Sequence, residues 1–268
     1  MKYAFIGAGN MASAIIKGMV KSGINGSNIT VFNTSKAKTD VLRAECGVDV
    51  APSQKAVIDK VDVLILSVKP QVLDKIIETV KNDIGNRKPL IISIAVGKTI
   101  EYLETGLGAD KAIVRVMPNI NAKVLMSTSG YCPNSVVTEA QEKIVEGLFE
   151  TVGTVTKIPE GMFSIFGVIA GSSPAFAYLY IDVLARAAQR AGMPKKQALE
   201  IAANTVLGSA KMVLESDEHP WALVDQVCSP GGTTIEGIYT LEENGFESTI
   251  VKAFDAVLAK DKAIQAKK

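Results

Sequence analysis

The chain has 268 residues, 47% of them hydrophobic, with 29 basic against 28 acidic side chains and one histidine. That length and apolar content sustain one large domain or two modest ones. The charge balance excludes a global field for nucleic acid, and no Lys/Arg run is present to track phosphates. Cys46, Cys132 and Cys228 are odd in number and far apart, without a C-x-x-C, which argues against a disulfide framework or a structural zinc and fits a reducing cytoplasm. The first residues read as a strand entering a glycine turn, so no secretion signal is expected.

Lys2 to Ile6 reads as a short buried strand, followed at once by Gly7-Ala8-Gly9-Asn10-Met11-Ala12. Ala14, Ile15, Ile16, Met19 and Val20 then carry the inner face of a helix that ends near Gly23. This is G-x-G-x-x-A in the strand–turn–helix context of a dinucleotide site. One glycine makes the turn, the next admits the pyrophosphate, and Ala12 keeps the helix close to the sheet. The second strand, Ile29 to Phe32, leads into Asn33-Thr34-Ser35-Lys36. An amide, two hydroxyls and an ammonium stand where an NAD site carries a carboxylate for the ribose 2′-hydroxyl. None repels a 2′-phosphate and all can donate to it, so NADPH is the expected cofactor, with NADH the second choice.

Val63 to Val68, Leu90 to Ile94 and Ala112 to Val116 are continuous apolar runs, as parallel strands covered on both faces require. Helical patterns fall at Gln71 to Val80, Ile100 to Leu103 and Thr138 to Phe149, and a last strand at Val152 to Ile158. The loops Ser67-Val68-Lys69-Pro70 and Ile94-Ala95-Val96-Gly97 lie at carboxyl ends of strands, where open α/β sheets bind ligands. Pro159-Glu160-Gly161 breaks the alternation, and only helical periodicity follows. The shift in pattern therefore predicts a parallel α/β domain over 1–160 and an all-α domain over 161–268.

Gly161 to Ile181 carries no charge and is long enough to span a bilayer. Gly171-Ser172-Ser173-Pro174 interrupts it, with serines placed to cap and Pro174 at the first helical position. The expected result is two elements, the second a helix apolar on nearly every face (Ala175, Phe176, Tyr178, Leu179, Ile181, Val183, Leu184). Such a helix needs a partner subunit to cover it, and a membrane is not expected. Further on, Ser229-Pro230-Gly231-Gly232-Thr233-Thr234 precedes the apolar-periodic run Ile235, Ile238, Leu241. A helix starting at a Gly-Gly-Thr-Thr turn presents N–H groups to a carboxylate or phosphate.

Taken together, Gly7 to Ala12, Val68-Lys69-Pro70-Gln71, Arg115-Val116-Met117-Pro118-Asn119, Gly171 to Phe176 and Ser229 to Gly237 resemble the pyrroline-5-carboxylate reductases. The resemblance runs the length of the chain, and Ser-Pro-Gly-Gly-Thr-Thr is its most specific motif. It implies an α/β Rossmann domain followed by an all-α dimerisation domain that interlocks with a second subunit as a homodimer, with larger rings of dimers up to a decamer. It also implies that NADPH or NADH reduces a cyclic imino acid. By position, Ile6, Gly7, Ala8, Gly9, Asn10 and Met11 would hold the pyrophosphate. Asn33, Thr34, Ser35 and Lys36 would take the adenosine ribose or its phosphate. Ser67, Val68, Lys69 and Pro70, with Ala95 and Gly97, would border the nicotinamide. Ser229, Gly232, Thr233 and Thr234 would bind the substrate, with Thr234 catalytic and closest to the C=N bond. Asp217 falls near the ring nitrogen, and Glu160 aligns with a carboxylate at the pocket edge.

Three segments depart from the family pattern. Asn119-Ile120-Asn121-Ala122 replaces Asn-Thr-Pro-Ala, Ser173 replaces a glycine in Gly-Ser-Gly-Pro-Ala-Tyr, with Phe176 for its tyrosine, and Gln54 stands where an asparagine meets the cofactor. A lone histidine, His219 beside Pro220, suits a helix end better than base catalysis, and an imine needs no base once its nitrogen is protonated. Two other readings remain open: a 6-phosphogluconate-dehydrogenase-like reductase of another imine or a 3-hydroxy acid, and a silent NADP(H)-binding sensor.

Overall fold

A computed structural model describes residues 1–59 and 61–265 of the chain. These divide into two compact units, one ending at Gly171 and the other starting at Ser172.

The first unit is built on one sheet. Its strands are β1 (Tyr3–Ile6), β2 (Ile29–Phe32), β3 (Asp49–Val50), β4 (Val63–Leu66), β5 (Leu90–Ser93), β6 (Ile113–Met117), β7 (Ser127–Pro133) and β8 (Gly153–Lys157). Their order is β3-β2-β1-β4-β5-β6-β7-β8, parallel from β3 to β6, with β7 antiparallel to β6 and β8 parallel to β7. The helices are α1 (Asn10–Lys21), α2 (Lys36–Cys46), α3 (Gln54–Ile58), α4 (Pro70–Ile84), α5 (Ile100–Leu107) and α6 (Glu139–Glu150). β4 and β5 are buried at every position, which is why their sequences run apolar without alternation.

Two cores cover the two faces of this sheet. Phe5, Ile15, Ile16, Met19 and Phe149 anchor one, and Leu64, Leu66, Leu73, Ile77 and Leu103 the other. β1 shows the division by alternation: Phe5 enters the first core, Ala4 and Ile6 the second. The predicted strands at the first, second, fourth, fifth, sixth and last positions are found, and the predicted helix from Thr138 begins with Thr138 as its cap in a reciprocal capping box with Gln141. β3 and β7 were not marked by the sequence pattern. β7 reads Ser-Thr-Ser-Gly-Tyr-Cys-Pro, yet Ser127 and Ser129 are buried because their hydroxyls meet at 3.1 Å and Ser127 Oγ accepts from the Asn119 amide.

Beyond β8 come a 3₁₀ turn (Glu160–Met162), α7 (Phe163–Phe166) and a π turn (Gly167–Ser172). The serine cap expected at the π turn is not formed: Ser172 has helical backbone angles and makes no side-chain capping bond. The second unit then contains α8 (Ser173–Arg190), α9 (Lys195–Glu215), α10 (Pro220–Val227), α11 (Thr233–Glu243) and α12 (Phe246–Gln265). Its buried core is small, consisting of Ala185, Ala198 and Ala202, with Ile181, Ala188 and Met193 packed beside them. Tyr178, Leu179, Tyr180, Val183 and Leu184 of α8 are exposed within this chain. The stretch Glu160–Arg190 is long and apolar enough to cross a membrane by length and composition alone, at a mean hydropathy of 1.5.

Candidate active site

The sheet order reverses between β1 and β4, and the loops after those strands open a crevice there, as expected for an open α/β sheet. Gly7 sits at the turn with φ +110, which favours glycine. A Cβ at Gly7 would stand 2.5 Å from the Ser67 carbonyl oxygen, so β1 and β4 approach too closely for any side chain. The Ser67 hydroxyl closes the turn by donating to the carbonyls of Ile6 and Gly7 at 3.0 and 2.9 Å. Gly9 caps α1 without a side chain, and a Cβ there would meet nothing within 4 Å. The first-turn N–H groups of α1 thus have no capping side chain, and Gly9 leaves room for an anion such as a pyrophosphate to approach.

A cleft of about 580 Å³ opens beside this turn. It brings together Ile6, Gly7, Gly9, Asn33, Thr34, Ser35, Gln54, Ser67, Val68 and Lys69, all expected from the sequence. It adds Lys38, Val72, Lys75, Ile76 and Thr79, which were not. Lys38, Lys69 and Lys75 give its wall three ammonium groups, and no carboxylate lines it. Ala8, Asn10, Lys36 and Pro70 are not part of that wall. Lys36 is the first residue of α2 and exposed, and Pro70 opens α4 behind its cap Lys69.

Two polar residues in the cleft are partly committed. Asn33 Oδ1 accepts from the Ala8 amide at 3.1 Å and its Nδ2 donates to the Ser35 carbonyl at 3.2 Å, so Asn33 ties the glycine turn to the loop after β2. Gln54 Nε2 donates to the Ile76 carbonyl at 3.2 Å, linking α3 to α4. The extra methylene relative to asparagine carries the amide to that helix.

A smaller cavity of about 120 Å³ holds three more of the expected cofactor residues, while Ala8, Asn10, Lys36 and Pro70 line neither. Met11, Ala95 and Gly97 line it with Ile94, Val96, Arg115, Val116, Met117 and Pro118. Arg115 was quoted as motif but given no role; a charge inside the apolar run Ala112 to Val116 was the available signal. Its side chain is only 10% exposed, yet it is paired: Nη1 lies 2.9 Å from Glu160 Oε1, and the guanidinium stacks 4.1 Å from the centre of the Phe163 ring. The same Glu160 oxygen accepts from the Ile100 amide at 2.7 Å.

In the second unit the Ser229 to Thr234 segment is exposed or nearly so. Gly231 has φ +66, and a Cβ at Gly232 would collide with the Ser229 hydroxyl. The Gly232 amide donates to the Ser229 carbonyl at 2.9 Å, which closes the turn and uses that donor. Gly232 then caps α11 without a side chain, leaving the first-turn amides of Thr233, Thr234 and Ile235 with no intrahelical acceptor. Asp217 is exposed in the loop between α9 and α10. His219 is a structural cap: its Nδ1 accepts from the Trp221 amide at the start of α10. Among the described residues no group of three or more His, Cys, Asp or Glu is placed to hold a metal.

Comparison with known proteins adds the family. A model described as pyrroline-5-carboxylate reductase dimerisation matches residues 160–264, and one described as NADP oxidoreductase, coenzyme F420-dependent, matches residues 2–97. The pyrroline-5-carboxylate reductase of Escherichia coli is 39% identical over 264 residues, covering 98% of each chain. That of Methanosarcina acetivorans is 40% identical over 253 residues, covering 94% of this chain and 93% of the relative. Among solved structures, the Coxiella burnetii reductase superposes with a TM-score of 0.93 at 33% identity, covering 98% of this chain and 97% of that one. The Plasmodium falciparum enzyme, solved with NADP bound, gives 0.87 at 30% identity, covering 99% and 98%. With its two halves matched in order and relatives aligned from end to end, the chain belongs to the pyrroline-5-carboxylate reductase family.

Proposed function

We propose that the protein reduces 1-pyrroline-5-carboxylate to proline at the expense of NADPH, the last step of proline biosynthesis. One observation carries this reading: the uncapped glycine start of α1 opens on a lysine-lined cleft, in a chain that belongs along its whole length to this reductase family. The glycine turn and the α1 amides hold the pyrophosphate. Thr34, Ser35 and Lys38 hold the ribose and its 2′-phosphate, with Lys75 near the adenosine. Asn33 and Gln54 keep these loops in place through the bonds described above. Ser67 to Pro70 and the Ala95–Gly97 loop flank the rest of the cofactor.

The α11 start takes the substrate. Its first-turn amides receive the carboxylate, Ser229 and Gly232 set the turn, and the hydroxyls of Thr233 and Thr234 reach the ring. Asp217 favours a protonated ring nitrogen. The reduced nicotinamide, when bound, supplies a hydride. Reduction of the protonated imine would leave a neutral amine, with no proton for the chain to remove. No general base is required, which accords with His219 being spent as a cap. The protein's share is to orient and to exclude water.

The apolar surface of the helical unit meets a second copy of the chain, and the resulting homodimers assemble further into a decamer in the cytoplasm. A functional boundary near residue 160 marks where the dimerisation sequence begins. The test of the substrate assignment is Thr234→Ala. It lowers kcat roughly 10- to 1000-fold, the scale for losing one preorganised donor, while NADPH affinity holds. Unchanged steady-state rates at saturating cofactor would remove Thr234 from the mechanism.

A further inference from the structure

Every second residue from Arg115 onward docks on the segment that follows β8. Arg115 pairs with Glu160 and stacks on Phe163. Two residues on, Met117 presents its Cε to two glycines of the π turn: a Cβ at Gly167 would lie 3.1 Å from it and one at Gly171 3.3 Å. Two residues further, Asn119 Nδ2 donates to the Ala170 carbonyl at 2.9 Å, while its Oδ1 accepts from the amides of Asn121 and Thr128. Strand alternation at one end thus meets helical spacing at the other. The π turn brings Gly167 and Gly171 onto one side chain, and π turns of this kind concentrate at functional sites.

Arg115 and Met117 are also walls of the small cavity shared with Met11, Ala95 and Gly97. Glu160 grips that cavity twice, because its Oε1 also holds the Ile100 amide at the end of the Ala95–Gly97 loop. We propose that Glu160–Gly171 is a positioning clamp for the nicotinamide side of the crevice, with Glu160 its central residue. Glu160 acts through Arg115 and Ile100 and does not itself bind the imino acid. This inference rests on the assignment of the crevice to the dinucleotide. It also explains why the dimerisation match starts at residue 160 although that stretch belongs to the compact unit of the sheet.

The experiment compares NADPH with 2′,5′-ADP, a probe that fills the adenosine half alone, by fluorescence titration and competition on the full-length protein. Glu160→Ala raises the NADPH Kd about tenfold and leaves the 2′,5′-ADP Kd within about twofold. Glu160→Gln, which keeps an oxygen for Ile100 and Arg115, stays within about threefold of wild type on both probes. Gly167→Ala pushes Met117 into the cavity, shifts the same ratio in the same direction, and serves if Glu160→Ala does not fold. Kinetically, Glu160→Ala lowers kcat roughly 10- to 100-fold, as a small misplacement of a reacting group does, with the imine KM nearly unchanged. The proposal is overturned if the NADPH to 2′,5′-ADP ratio is unmoved in the folded variants. It is equally overturned if Glu160→Gln matches Glu160→Ala and raises the imine KM, which would make Glu160 a charge on the substrate. The ratio is read without turnover, so it is decided separately from the reductase reading, which fails only if wild type leaves the imine unreduced.

Discussion

The two units of this chain bury apolar side chains to very different degrees. In the sheet unit Phe5, Ile15, Ile16, Met19, Ile65 and Phe149 are all inaccessible to solvent. In the helical unit three alanines form the buried core, while Leu214 is 83% exposed and Leu179 64%. Both units are apolar in sequence, so hydrophobic content alone does not say where the burial occurs. The sheet unit satisfies its apolar groups internally, with helices on both faces. The helical unit leaves long side chains on its surface, far beyond the scattered exposure ordinary for a monomer. Its match to a dimerisation family accords with these side chains serving an oligomer contact.

A charge on the helical surface should break the contrast most strongly. Leu179→Glu buries an unpaired carboxylate in each protomer on assembly, at roughly 3 kcal/mol or more, enough to weaken the dimer over 100-fold. Sedimentation should show monomers at concentrations where wild type is assembled, with the sheet unit still folded. An unaltered dimer would mean that α8 lies outside the contact.

Gly7→Ala probes the opposite case, a position where the sheet unit has no slack. The positive φ and the Ser67 carbonyl together cost about 1–3 kcal/mol, lowering the denaturation midpoint and displacing the amides that meet the pyrophosphate. NADPH binding should fall about 5- to 150-fold if that cost is lost from the bound state. Wild-type affinity in Gly7→Ala would remove the turn from the site.

Smaller effects should sharpen the cofactor preference. Lys38→Glu, facing the cleft, should raise the KM for NADPH about tenfold more than that for NADH, the scale of one charge-assisted contact to phosphate. Lys36→Glu, outside the cleft wall, should raise it less. The reverse ranking would restore Lys36 as the phosphate ligand.

The smallest expected effect concerns acid stability in the sheet unit. Lys157 donates to Glu142 and, with the Tyr131 hydroxyl, holds its carboxyl below the usual value of 4.5. Burial and the carboxylates of Glu146 and Glu142 push the Tyr131 hydroxyl well up. A depressed folded pKa stabilises above the unfolded value and loses that stabilisation as pH falls through the folded one. Wild type should therefore lose more stability than Glu142→Gln between about pH 5 and 3. Parallel curves would show that the pair contributes nothing.

The fold was legible where one physical demand dominates. Strands covered on both faces must be largely apolar, so β4 and β5 stand out, and β6 does so despite Arg115; a strand entering Gly-x-Gly needs that spacing to turn. β7 was hidden because its buried serines are satisfied only by each other and by Asn119, contacts invisible along the chain. The site was half legible. The turn residues could be read because glycine placement is local. Lys38 and Lys75 could not, since helical periodicity marks the buried face and says nothing of which exposed lysine overlooks a cleft. The resemblance gives Glu160 a role at the pocket edge, whereas its bonds to Arg115 and Ile100 appear only when residues 45 and 60 positions apart are brought together.

The chain uses NADPH to reduce a five-membered cyclic imino acid, and loss of reduced-nicotinamide absorbance with purified protein and pyrroline-5-carboxylate, set against a panel of related cyclic imines and 3-hydroxy acids, examines this without intermediaries. Rapid NADPH oxidation with stoichiometric proline formation is expected. Turnover of a hydroxy acid alone, or NADPH binding with no turnover of any imine, would contradict it.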